Sequence, residues 1–165
     1  MKKTIRDNVW ETNSSSMHAI AIAHDYKIPW ASGTIWFHRR DFGWVPEEFP
    51  FLEDRVSYLY EAILGFYEEP FKQQWLDWVD DVLTKRNISV IFIDKNSEYS
   101  GYIDHVEECD EFLNYVLESE DHLLAFIFGD SAICTDNDNH DDHELYNEFC
   151  KYYKNKTDQY TLIYK

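Results

Sequence analysis

The sequence predicts a single α+β domain over residues 1–165, with a mixed sheet of about five strands covered by about four helices. Three observations carry that prediction. A chain of 165 residues suits one domain with a substantial core. Six Trp, 11 Phe and 12 Tyr set it apart from disordered acidic chains, which are poor in aromatics. The order of elements, strand–strand–helix–helix–strand–helix–strand–helix–strand, also indicates one sheet covered by helices.

After a polar N-terminal segment, residues 1–17, positions 18–23 are small and apolar at both parities, as in a strand covered on both faces. Pro29 and Gly33 punctuate, and residues 34–38 read as a second strand. Residues 41–50, with Gly43, Pro46 and Pro50, read as a loop. In 52–67, Leu52, Val56, Leu59, Ile63 and Tyr67 recur at helical steps. In 71–85, Phe71, Trp75, Trp78, Val79 and Val82 do the same behind Pro70, leaving Asp77, Asp80 and Asp81 together on the opposite face. Asn87 ends that helix, and 88–93 reads as a buried strand. A third helix, about 107–118, turns Cys109, Phe112, Leu113, Val116 and Leu117 inward and Glu108, Glu111 and Glu118 outward. Residues 123–128 fit a short helix or a strand equally well. A strand at 131–135 enters an acidic loop at 136–142; a helix at 142–153 buries Leu145, Phe149 and Tyr152; a strand at 160–164 closes the fold.

Charge narrows the function. Fifteen Lys and Arg against 32 Asp and Glu give a net charge of −17. Residues 1–40 hold Lys2, Lys3, Arg6, Lys27, Arg39 and Arg40 against Asp7, Glu11 and Asp25, so one end is basic enough to receive a phosphate or a carboxylate. The remainder repels nucleic acid and attracts basic surfaces, which disfavours direct binding to a nucleic-acid backbone. No stretch approaches the ~20 apolar residues a membrane helix requires. No apolar core follows Met1, so no export is expected. Cys109, Cys134 and Cys150 are too few and too widely spaced for a disulfide framework or a CxxC zinc site, and point to a reducing compartment.

Three segments can carry chemistry. Glu11, Asn13, Ser14, Ser15, Ser16 and His18 combine oxyanion-binding hydroxyls and amides with a base at a strand mouth, or else form an ordinary polar turn. Asp104 beside His105 orients an imidazole, or caps the helix that follows. Asp136, Asp138 and His140 imitate the opening of a calcium loop. The match then fails at Asp141, where Gly is required, and at Asn147, where Glu is required, leaving at most weak divalent-metal binding and no assigned cofactor.

The run Val9-Trp10-Glu11-Thr12-Asn13-Ser14-Ser15-Ser16-Met17-His18 resembles the N-terminal motif of an uncharacterised family of small bacteriophage and prophage proteins of low-GC bacteria. The resemblance extends to Tyr102-Ile103-Asp104-His105 and to residues 126–133 and 135–139, although similar proteins tend to have Gly where this chain has Asp136. It implies phage origin and a host bacterial cytoplasm, and no particular reaction. If the three segments converge, Glu11, Asn13, Ser14, Ser15, Ser16, His18, Asp104, His105 and Asp138 form one polar pocket at strand ends.

Two functions follow. The favoured one is an anti-defence inhibitor, similar to anti-CRISPR or anti-restriction proteins. Its phosphate-mimicking carboxylates block a host protein or ribonucleoprotein complex with a basic channel. Its partner-binding residues are Asp77, Asp80, Asp81, Glu107, Glu108, Glu111, Glu118, Asp136, Asp138, Asp141 and Asp142, with Tyr115 as an exposed anchor. The alternative is a small enzyme or sponge for a phosphate-bearing nucleotide. There His18 or His105 serves as acid/base, Ser15 and Asp104 are candidate catalytic partners, and Asn13 with Ser14–Ser16 holds the anion.

Overall fold

Strand β1 (Ser16–Ala23) organises the molecule because its two faces carry side chains of different size. Ala19, Ala21 and Ala23 lie on one side and Ile20 and Ile22 on the other. The computed structural model describes residues 16–93, 101–137, 139 and 141–164. Within them β1 sits inside a four-stranded antiparallel sheet of order β4-β7-β1-β8, completed by β4 (Glu47–Phe49), β7 (Ala132–Asn137) and β8 (Tyr160–Tyr164). The β1–β7 register runs from Ser16 opposite Asn137 to Ala21 opposite Ala132.

Two parallel pairs stand apart from this sheet: β2 (Gly33–Phe37) with β5 (Ile88–Phe92), and β3 (Asp41–Phe42) with β6 (Tyr102–Ile103). The fold is therefore α+β as expected, with the strands divided among one sheet and two short ladders. Three of these strands escape a sequence reading. β3 and β6 hold two residues each and β4 three, too short for any alternation to register. Residues 41–50 are thus a loop with strand at both ends. β5 is not a buried strand: Ser89 and Ile91 face solvent, because only one face of its two-stranded ladder meets the core.

Five helices are described: α1 (Leu52–Phe66), α2 (Phe71–Thr84), α3 (Asp110–Val116), α4 (Glu120–Phe128) and α5 (Glu144–Lys154). α1 is the central one, buried without interruption from Asp54 to Ile63, so its polar side chains must find partners inside the protein. α4 resolves the ambiguous stretch 123–128 as helix. Ser119 accepts the His122 backbone N–H at 3.1 Å, and Glu120 and Asp121 fill the first turn, where they favour the helix dipole. α3 is shorter than its periodicity suggests, because a 3-10 turn at Val106–Cys109 takes its first residues. α5 lays Tyr146, Phe149 and Cys150 on the alanine face of β1, where the missing side-chain bulk lets the helix approach. The larger core fills the opposite face between the sheet and α1, α3 and α4.

Each arginine in the described residues is engaged internally. Arg39 Nε meets Glu61 Oε1 at 2.6 Å, and its Nη2 donates to the Gly101 carbonyl at 2.8 Å. A Cβ on Gly101 would lie 1.9 Å from Glu61 Oε1 and 2.3 Å from the Arg40 nitrogen, so only glycine fits there. Arg40 pairs with Asp54 and stands over the Phe49 ring at 4.9 Å. Arg55, buried, donates to the carbonyls of Pro50, Ser131 (2.7 Å) and Ile127 (2.9 Å), closing the C-terminal end of α4. Arg86 reaches Glu120 at 2.8 Å and the Val82 carbonyl at 2.7 Å. The expectation that the basic N-terminal quarter receives an anion is thus corrected for Arg39 and Arg40, whose guanidinium groups serve carboxylates of α1. No described helix is long and apolar enough to cross a membrane.

Candidate functional site

Two of the three chemistry-bearing segments meet at the mouth of β1. Ser16 and His18 share the core-facing side of the strand, and β6 delivers Asp104 to them. Ser16 Oγ lies 2.8 Å from His18 Nε2 and 2.9 Å from the Asp104 carbonyl oxygen, which itself lies 3.1 Å from Nε2. On the other side of the ring, His18 Nδ1 lies 3.0 Å from the hydroxyl of Tyr58, a fully buried residue of α1. Gly43 closes the top: its φ of +99° suits glycine, and a Cβ there would lie 3.1 Å from both His18 Nε2 and Asp104 Cβ.

These contacts fix the protons. A carbonyl oxygen only accepts, so the Nε2 facing Asp104 carries the ring proton, Nδ1 is the acceptor, and Tyr58 donates to it. Ser16 donates its own proton to the Asp104 carbonyl. A serine nucleophile requires the opposite arrangement, with a bare imidazole nitrogen aimed at a hydroxyl proton. Burial of the ring holds the His18 pKa down at about 4, against an ordinary 6.5, so the imidazole is neutral at physiological pH. Burial also pushes the Tyr58 hydroxyl well above its usual range. The adjoining crevice, lined by His18, Tyr58, Cys109 and Glu108 among others, has a volume of about 20 Å³, room for about one water. The arrangement is a closed polar latch that joins β1 to α1 and to the Asp104 turn.

Asp104 itself does not cap a helix. Its carboxylate accepts the Tyr102 hydroxyl at 3.0 Å, and His105, with φ of +56°, stands at the start of the 3-10 turn with Nδ1 3.4 Å from Glu107 Oε1. Glu11, Asn13, Ser14, Ser15, Asp138 and His140 lie outside the described residues.

The acidic turn is partly internal, and Asp136 is a correction. It is fully buried, because β7 continues through Asn137 and its alternation carries Asp136 to the α5 side with Ala132 and Cys134. There its Oδ2 meets His143 Nδ1 at 2.8 Å and its Oδ1 accepts the Asn137 N–H at 2.7 Å. Asp136 therefore leaves the set of surface carboxylates. Burial pushes the neighbouring Cys134 thiol up to about 12, which removes it as a nucleophile. Among the described residues no group of three His, Cys, Asp or Glu side chains is placed to hold a metal ion.

The other predicted partner residues lie outward. Asp77, Asp80 and Asp81 are exposed on α2, as are Glu107, Glu111, Glu118, Asp141 and Asp142, whereas Glu108 is half-buried. Asp81 holds Lys85 at 2.6 Å, which offsets part of that face. Tyr115 is no free anchor: its ring stacks on His122 at 4.1 Å, nearly parallel, and its hydroxyl lies 3.0 Å from Thr161 Oγ1. The residues that sequence reasoning missed are Tyr58 and Gly43, which close the latch, and the Arg39–Glu61 pair. Glu61 within an otherwise apolar helical stretch is the one sequence signal for that pair. Comparisons with protein-family models, curated proteins and solved structures find no match.

Proposed function

We propose that the protein is an acidic inhibitor that occupies a basic, nucleic-acid-binding channel of a host defence complex, with surface carboxylates standing in for phosphates. One observation carries the reading: exposed carboxylates far outnumber exposed cations, and the described arginines are already paired within the chain. Arg39 and Arg55 turn inward, and Arg40 and Arg86, though partly exposed, are held by Asp54 and Glu120, while Asp77, Asp80, Glu111, Glu118, Asp141 and Asp142 face solvent on helices and an adjoining turn. With 32 acids against 15 Lys and Arg, and exposed lysines such as Lys85 offset by neighbouring carboxylates, the surface presents a long-range negative field to any basic cleft and steers encounter with it. The phage origin rests on the resemblance of the N-terminal motif, and the anti-CRISPR-like role on the net charge of −17 in a small chain. The alternative, a nucleotide enzyme or sponge, draws less support, because Ser16 and His18 are buried with their hydrogen bonds already committed.

The test is capture of partners from a bacterial host lysate at low and high salt. The wild type is compared with Asp77→Asn/Asp80→Asn/Asp81→Asn and with His18→Gln. The reading expects a basic nucleic-acid-handling complex retained at low salt, lost at high salt, weakened by the triple substitution and retained by His18→Gln. Loss with His18→Gln alone, or a co-purifying nucleotide and no protein partner, would overturn it.

A further inference from the structure

Between the end of α1, the first turns of α2 and the exposed side of α3 lies an open groove of about 460 Å³. Its walls are Tyr67, Trp75 and Tyr115, with Asn114 and Glu118 at the rim. We infer that this groove is a docking site for an arginine side chain of a basic protein partner. The inference rests on the proposed function and names the anchor that would fix register on an otherwise diffuse acidic surface.

Three features select a guanidinium. Three aromatic rings line it beside Leu113 and Leu117: Tyr67 and Trp75 approach each other at 6.1 Å, while Tyr115 is held by its stack on His122 and the contact of its hydroxyl with Thr161. Flat π faces held by their neighbours attract a cation without further ordering, and a planar guanidinium stacks on them better than an ammonium. The rim carries the carboxylate of Glu118, exposed, with only a 3.5 Å approach from His122 Nδ1, which faces the Tyr115 carbonyl at 2.9 Å. Finally, the Tyr67 hydroxyl and the Asn114 amide have no hydrogen-bond partner among the described residues, leaving acceptors for the remaining guanidinium protons. The same features reject the competing occupants. A phosphate or nucleotide meets Glu118 and a chain of net charge −17, and an aliphatic side chain leaves the polar rim unused.

The probe is a hexa-arginine peptide, with hexa-lysine of the same charge as comparison. Each is titrated against the full chain and followed by tryptophan fluorescence and calorimetry. Hexa-arginine is expected to saturate and to bind several-fold more tightly than hexa-lysine. Trp75→Leu should weaken hexa-arginine binding about tenfold, and Glu118→Gln about three- to tenfold. Glu148→Gln, on α5 and away from the groove, should change it less than twofold. Glu118→Gln and Asn114→Ala are surface changes that keep the test decisive if Trp75→Leu does not fold. Equal binding of the two peptides, or wild-type binding by both Trp75→Leu and Glu118→Gln, would overturn the inference. Its failure is separable from failure of the proposed function: capture of a basic partner that Glu118→Gln retains fully removes the groove alone, whereas no basic partner at any salt removes the function.

Discussion

Acidification should unlock the Ser16–His18–Tyr58 latch. In the folded protein burial holds His18 at about 4, whereas the unfolded chain takes up the same proton near 6.5. Between these values the unfolded state binds more protons, so stability falls as pH falls. The fall from 6.5 to about 4 is worth about 3 kcal/mol at ~1.4 kcal/mol per pH unit, fully present above pH 6.5 and withdrawn by pH 4. Glu61 and Asp54 act in the opposite sense: burial raises both carboxyls, so the folded state takes up their protons before the unfolded chain does. Their contribution is common to the wild type and to His18→Gln, so the difference between the two isolates the imidazole. Urea unfolding from pH 7 to pH 4 should show the stability advantage of the wild type shrinking by about 3 kcal/mol. Parallel profiles, or an NMR titration placing the folded imidazole near 6.5, would refute the buried, neutral assignment.

Two further outcomes test the interior. Arg39→Met strands the Glu61 carboxylate and should cost about 3–5 kcal/mol in chemical denaturation, most of it recovered when Glu61→Leu is added. Ser131→Ala removes a hydroxyl that accepts from Ala23 N and donates to the Ala125 carbonyl, both at 2.9 Å; the Ala125 carbonyl keeps the Gly129 N–H, so the stranded Ala23 N–H should cost about 1–3 kcal/mol.

What the sequence made legible follows element length and periodicity. α1, α2 and α5 run for 11 to 15 residues, enough turns for apolar positions to recur, and their expected spans agree with the structure to within two residues. β1 was readable because alanine and isoleucine alternate so cleanly. The two- and three-residue strands were not, since pairing across the chain, and no local pattern, creates them. Asp136 was misplaced for a related reason. Within a run of acids its charge suggested solvent, while the decisive fact was its parity with Cys134 in a strand buried on both faces. At the candidate site, the meeting of Ser16, His18 and Asp104 was one conditional reading that the family resemblance suggested, while the residues alone favoured a polar turn and a helix cap. The direction of their protons was not legible, because it depends on a backbone carbonyl and on Tyr58 from a distant helix.

The central claim, that surface carboxylates compete with phosphates for a basic channel, is tested most directly by competition on the captured partner. Labelled nucleic acid bound to that complex is titrated with this protein over a range of salt concentrations. The account predicts mutual displacement, with the affinity of the protein falling steeply as salt rises and the triple α2 substitution displacing poorly. A ternary complex in which protein and nucleic acid are held together, or an affinity indifferent to salt, would contradict it.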